Sequence, residues 1–207
     1  MDRDLLIDDL IATRRSVRRY RAEPISTRLV DALLKAAIAA PSPHNRQPWR
    51  FVVIEAPATK AALAHAMGTR LRVDRLRDGD AAETVEADVA RSYARLTGAP
   101  VLVLVCVCTT DMDRYPDEQR MQAEHTMAMQ AAAMAAQNIL LAAHANRLGA
   151  CWMCAPLFCA EVVAATLALP ADWQPQALIT LGFPADAGKP HRRRALAEVT
   201  RYQDRRS

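Results

Sequence analysis

A connector carrying three prolines constrains this chain more than any other segment. Ala40-Pro41-Ser42-Pro43-His44-Asn45-Arg46-Gln47-Pro48-Trp49-Arg50-Phe51 joins an apolar helical pattern to an apolar, β-branched run. Proline fixes φ and removes a backbone donor, so this connector is stiff. Pro41 closes the helix before it, and Trp49 opens the strand after it. Ser42, Asn45 and Gln47 are thereby held where their side chains can read a flat polar ligand. Upstream, Arg14-Arg15-Ser16-Val17-Arg18-Arg19 sets several cations and a hydroxyl just after a short helical pattern. A rigid amide-rich connector and an early cationic cluster together fit a ligand with an anionic tail and a flat, hydrogen-bonding head. A flavin mononucleotide has both.

The chain has 207 residues, so one domain over 1–207 is expected, domains commonly running about 100–200 residues. The net charge of +4 comes largely from two arginine clusters, Arg14 to Arg21 and Arg192 to Arg194. Such clusters can mark a nucleic-acid surface. Here no aromatic residues interleave and no nucleic-acid module is recognisable, so anion capture in a small-molecule site fits better. Met1-Asp2-Arg3-Asp4 lacks the apolar core of a secretory signal, and the odd count of five cysteines reads as reduced thiols. A cytoplasmic location is the expectation. Thr126 to Ala145 holds no charged residue and is long enough to span a bilayer, which takes about 20 residues. Gln130, Gln137 and Asn138 share one face of it, however, and alanine supplies most of the rest, so a buried helix without a membrane is expected.

Helical spacing appears over Asp4 to Thr13, over the segment Ser26 caps up to Pro41, over Thr59 to Met67 and over Glu83 to Leu96. Gly68 to Asp80 is polar and arginine-rich, and reads as a loop or short helix near the site. Strands are expected at Trp49 to Glu55, Val101 to Cys108, Ala150 to Met153 and Gln176 to Gly182. The longest element, Met121 to Leu148, ends at Gly149 as a C-cap and is apolar on almost every side. It must be enclosed nearly all round, by this subunit or by a second copy. A further helix is expected at Cys159 to Leu167. Helices flanking a few strands give an α+β or α/β sandwich.

Four landmarks occur in order: Arg14-Arg15-Ser16-Val17-Arg18; Ala40-Pro41-Ser42 with Asn45-Arg46-Gln47-Pro48-Trp49; Leu148-Gly149-Ala150-Cys151-Trp152; and Ile179-Thr180-Leu181-Gly182-Phe183-Pro184 followed by Arg193. In this order they resemble the nitroreductase family of FMN-dependent oxidoreductases, over nearly the whole chain. Arg70-Leu71-Arg72-Val73-Asp74 and Cys151-Trp152-Met153 also resemble the C-terminal flavin domain of the coenzyme F420 γ-glutamyl ligase. The resemblance implies a mostly antiparallel sheet flanked by helices, in an intertwined homodimer with two FMN sites at its interface. It implies that Arg14, Arg18 and Arg193 hold the phosphate, with Arg15, Ser16 and the intervening Val17 on the phosphate and ribityl side. Ser42 and Gln47 would contact the ribityl chain and ring edge, with Pro41, Pro43 and Asn45 lining the same connector. Asp74 would accept from a flavin donor, and His44 is a candidate for the substrate side. The backbone near flavin N5 would come from Met153-Cys154-Ala155-Pro156. Cys154 stands where relatives often have glycine, and cysteine tolerates positive φ poorly.

The activity this implies is hydride transfer from NADH, NADPH or a deazaflavin, through flavin N5, to a nitroaromatic, quinone or conjugated metabolite. No side-chain nucleophile is expected, since the cofactor carries the redox chemistry. Two alternatives stand beside it: a flavin- or deazaflavin-binding protein without turnover, and a reductase of a coenzyme F420 precursor. Cys151 and Cys154 form a Cys-x-x-Cys pair without a matching second pair, so no metal site is expected. His65, His125, His144 and His191 read as structural or solvated, and Met127, Met129 and Met134 as packing.

Overall fold

A computed structural model describes residues 7–203. The Asp4 end of the first expected helix lies outside the described residues. In chain order the helices are α1 (Ile7–Thr13), α2 (Thr27–Ile38), α3 (Pro57–Arg77), α4 (Ala82–Thr97), α5 (Glu118–Ala145), α6 (Ala160–Thr166) and α7 (Leu196–Val199). The strands are β1 (Trp49–Ile54), β2 (Val101–Val107), β3 (Gly149–Met153) and β4 (Gln174–Gly182). Short 3-10 turns occupy Pro43–Asn45 and Ala155–Phe158. The strands form one antiparallel sheet in the order β1-β2-β4-β3.

β2 is buried along its whole length, which its unbroken β-branched run anticipates. Its odd-numbered side chains, Val101, Val103, Val105 and Val107, pack with Ile179 and Leu181 against α2 and α5. Its even-numbered ones, Leu102, Leu104 and Cys106, pack with Leu178 against the α3, α4 and α6 side. Burial pushes the Cys106 thiol up to about 12, so this sulfur behaves as a small hydrophobe. The result is a sheet between two helical layers. No described helix is long and apolar enough to cross a membrane.

Local signals set several boundaries. Ser26 caps α2 by accepting from the Leu29 N–H, and Asp117 caps α5 by accepting from the Arg120 N–H. Two expectations are corrected. Residues 68–77 continue α3 as an unbroken helix, because their arginines pair with carboxylates at helical and cross-helix spacing. Arg70 bonds Asp74 at 2.6 Å, Arg72 grips both Glu86 oxygens on α4, and Arg75 reaches Asp80 and Asp88. In turn, α5 ends at Ala145 with Asn146 as its C-cap, and the left-handed residue is Arg147 (φ 59°). Gly149 is the first residue of β3 and caps nothing.

Within one chain, α5 is enclosed on one side only. Ala128, Ala131, Ala135, Ile139 and Ala143 are buried, but Gln130, Ala133, Met134 and Gln137 form an exposed face, Met134 at 40%. This chain covers one side of the helix.

Lys60 on α3 is 5% exposed and donates to the Ala99 carbonyl at 2.7 Å and the Pro100 carbonyl at 3.0 Å. It fastens the exit of α4 to the entry of β2. Lys60→Met leaves both carbonyls short of a donor and costs about 1–3 kcal/mol of stability, read as a lower urea midpoint at unchanged slope.

Candidate functional site

The segment from Arg14 to Arg19 runs as a fifth, partial strand beside β3. Ser16 bridges Ala150 in parallel fashion, and the Val17 N–H donates to the Ala150 carbonyl at 3.0 Å. Further along, Tyr20 bridges Pro184, the Arg21 N–H donates to the Phe183 carbonyl, and the Tyr20 hydroxyl sits 2.6 Å from Thr180 Oγ1. Extended pairing turns alternate side chains to opposite faces, which buries Val17 and points its arginine neighbours away from the core.

Two arginines of this segment, Arg18 and Arg19, border a cavity of about 460 Å³ whose walls also include Ser16, Arg91, Arg95 and Lys189. Arg19 and Arg91 are each neutralised by a neighbour, Arg19 by Asp186 at 2.6 Å and Arg91 by Asp88. Arg18, Arg95 and Lys189 have no carboxylate partner among the described residues, and neither do Arg14, Arg15 and Arg193. The unpaired groups lie close to one another. The Arg14 pKa is lowered by burial and then by Arg193 and Arg15. The Cys151 thiol is raised by burial, and Arg18, Arg95 and Arg14 all act on it in the opposite sense. Cys151 thus feels Arg14 from the segment's start together with Arg18 and Arg95. Six cations held together without counter-charge are mutually repulsive, and an anionic ligand relieves that repulsion.

Arg14, Arg15, Ser16, Arg18 and Arg193 are thus brought together, with Val17 as the buried anchor between them. Arg91, Arg95 and Lys189 were not singled out in the sequence. The available signal was the Arg91/Arg95 spacing, which puts both on one face of α4.

The proline connector lies elsewhere. The Pro48 carbonyl accepts from the Cys108 N–H at the far end of β2, on the β1 edge of the sheet. Ser16 sits at the β3 edge, level with Leu181 and Val101 at the other end. Four inter-strand steps and seven residues of strand length separate the two corners, roughly 30 Å. One chain therefore does not put Pro41, Ser42, Pro43, Asn45 and Gln47 beside its own arginine cluster.

The connector itself is strained. His44, Asn45 and Gln47 have φ of 46°, 55° and 51°, the left-handed region that side chains rarely occupy. The Ser42 hydroxyl oxygen accepts from the Gln47 N–H at 3.0 Å and so helps to hold the strained turn. Such backbone costs of order 1–3 kcal/mol per residue and clusters at ligand sites.

Asp74 is likewise outside the cationic cavity. It is bonded by Arg70 and Arg77, and lines a separate cleft of about 230 Å³ with Ala155 and Cys159. Met153 ends β3, and the exposed Cys154 follows it with φ −83°. No left-handed backbone is required there, so cysteine fits without strain. Its sulfur accepts from the Trp152 indole N–H at 3.0 Å.

Residues 11–183 match the model of the nitroreductase family. The chain belongs to that family. It is 31% identical to a protein of Thermus thermophilus named NADH dehydrogenase, with 92% of each chain aligned. It is 30% identical to the 5,6-dimethylbenzimidazole synthase of Rhodospirillum rubrum, covering 87% of this chain and 82% of that one. Among solved structures, a protein of Desulfovibrio desulfuricans described as a nitroreductase and crystallised with FMN is 30% identical. It superimposes over the full length of both chains with a TM-score of 0.74.

Proposed function

We propose that this nitroreductase-family chain binds FMN and passes reducing equivalents from NADH or NADPH to a small electron-poor acceptor. The observation that carries this is a group of cations without carboxylate partners among the described residues: Arg18, Arg95 and Lys189 line one open cavity, and Arg14, Arg15 and Arg193 act on one another beside it. A phosphate monoester supplies the missing negative charge, and guanidinium forks bind its oxygens in charge-assisted pairs. FMN, when bound, supplies the two-electron chemistry; the protein supplies position and charge. Arg14 and Arg193 bind the phosphate, Ser16 offers a hydroxyl beside it, and Arg18 and Arg95 face the remainder of the ligand. The relatives named NADH dehydrogenase and nitroreductase support the same reading.

The site is completed by a second copy of the chain. The strained connector, with Ser42, His44, Asn45 and Gln47, lies too far from the arginines of its own subunit to touch their ligand. An exposed α5 face carrying Met134 offers a surface for a partner to cover. In a two-fold dimer each connector reaches the other subunit's cavity.

The test is to saturate the purified protein with FMN, remove free flavin and record absorbance, mass and reduction under anaerobic conditions. A yellow dimer whose colour bleaches rapidly with NADH or NADPH is expected. A colourless protein ends the proposal, and a coloured protein that neither nicotinamide bleaches reduces it to a flavin binder without turnover.

A further inference from the structure

We propose that His144 positions Arg14 and Arg15 for a phosphate ester and takes up a proton at Nδ1 when that ester binds. The inference rests on the flavin reading for the identity of the ester, but on the chain's own geometry for the rest.

His144 lies in the last turn of α5, and Thr13 is the last residue of α1, directly before Arg14. The two meet across 131 residues of sequence, with Thr13 Oγ1 2.9 Å from His144 Nε2. A hydroxyl has one hydrogen to give. Thr13 spends it on the Asp9 carbonyl at 2.5 Å, so toward His144 its oxygen can only accept. The hydrogen between them therefore belongs to Nε2, and Nδ1 is the nitrogen left to titrate. Among the described residues nothing bonds Nδ1, so the ring can gain a proton there without releasing Thr13. This bond ties the exit of α1 to the exit of α5 and fixes where the arginine segment starts.

The charges around the ring are of one sign. Burial, then Arg14 and Arg15, hold the His144 pKa below its ordinary value. His191, on the C-terminal segment, faces the same group: partial desolvation, then Arg15, Arg193 and Arg14, lower it too. No carboxylate among the described residues acts on either ring. A phosphate dianion among these arginines reverses the field at His144 and raises its pKa in the complex. The sign follows. The proton's contribution to affinity is complete below the depressed free-state pKa and is lost as pH rises through the higher bound-state value. The second ionisation of the phosphate, near pH 6, works the other way by supplying the dianion as pH rises. Comparison of variants separates the two, since the ligand's own titration is common to all of them.

His144→Gln keeps an N–H for Thr13 and removes the titration. The measurement is the FMN dissociation constant of wild type, His144→Gln and His144→Ala from about pH 5.5 to about pH 8.5, a span centred on histidine's range. Expected is a Gln variant within about twofold of wild type at the alkaline end and up to about tenfold weaker at the acid end, one pKa unit being a tenfold effect. The Ala variant, lacking the tether, is weaker at both ends. A Gln-to-wild-type ratio that does not change with pH overturns the proposal. A second measurement follows the His144 ring resonance against pH with and without inorganic phosphate. A titration midpoint that rises with phosphate supports the inference even in a protein that refuses FMN, where only the cofactor reading falls; an unmoved midpoint overturns it.

Discussion

Arg18→Ala weakens FMN binding by about 10- to 150-fold, while Arg19→Ala leaves it within about fivefold. The two arginines are neighbours in sequence and both line the cavity, yet they differ in what they already hold. Arg19 is bonded to Asp186, and its side chain is 82% exposed. An exposed pair of that kind is worth no more than about 1 kcal/mol, and its cation has little charge left for a ligand. Arg18 has no carboxylate and lies within the field of Cys151, a buried thiol, so a ligand oxygen is its natural partner. Charge-assisted bonds of this type contribute about 1.5–3 kcal/mol, and each 1.4 kcal/mol is tenfold in affinity. Arg193→Ala falls with Arg18→Ala, because Arg193 presses on Arg14 within the same unpaired group. Fluorescence titration of FMN against the three variants reads the difference directly. Equal affinity for Arg18→Ala and wild type removes the anion from this cavity.

What the sequence made legible follows from how local each signal is. The β-branched run Val101 to Val107 reads as a doubly buried strand because burial on both faces leaves no polar alternation. Ser26 reads as an N-cap because a cap is a contact between residues three apart. The stretch 68–80 reads as a loop or short helix because arginine and aspartate blur helical periodicity; the pairs that keep it one continuous helix with the residues before it, such as Arg72 with Glu86, join two helices. The same limit hid Arg95 and Lys189, which approach Ser16 and Arg18 only once α4 and the segment after β4 are folded beside residues 16–19. Conversely, the connector and the arginine cluster both stand out in the sequence, but not that they occupy opposite corners of one subunit. That separation is set by strand order, and strand order is not written in any short segment.

Gly149→Ala loosens the whole cationic segment, costing about 1–3 kcal/mol of stability and at least about tenfold in FMN affinity. A Cβ built on Gly149 stands 2.7 Å from Val17 Cγ1 and 2.8 Å from Val17 Cβ. The difficulty is space, not backbone conformation. Val17 cannot turn aside, since its branched Cβ is itself one of the atoms struck and its χ1 is stiff. Relief requires the Ser16–Val17 backbone to move off β3, which gives up the 3.0 Å bond from the Val17 N–H to the Ala150 carbonyl. Arg14, Arg15 and Arg18 move with it, and a cluster assembled from separate parts of the chain loses its common centre. Gly182 guards the same segment further on, where an added Cβ would stand 2.7 Å from Tyr20 and from Pro100. The double variant Val17→Ala with Gly149→Ala recovers part of both losses, because the first substitution removes the two Cγ atoms that the second one strikes and leaves only the Cβ contact. Residues in contact couple in this way, and distant ones add. Denaturant unfolding and FMN titration of the two single variants and the double variant complete the cycle. Strict additivity, or a Gly149→Ala protein that binds FMN like wild type, means that something other than this contact seats the arginine segment on the sheet.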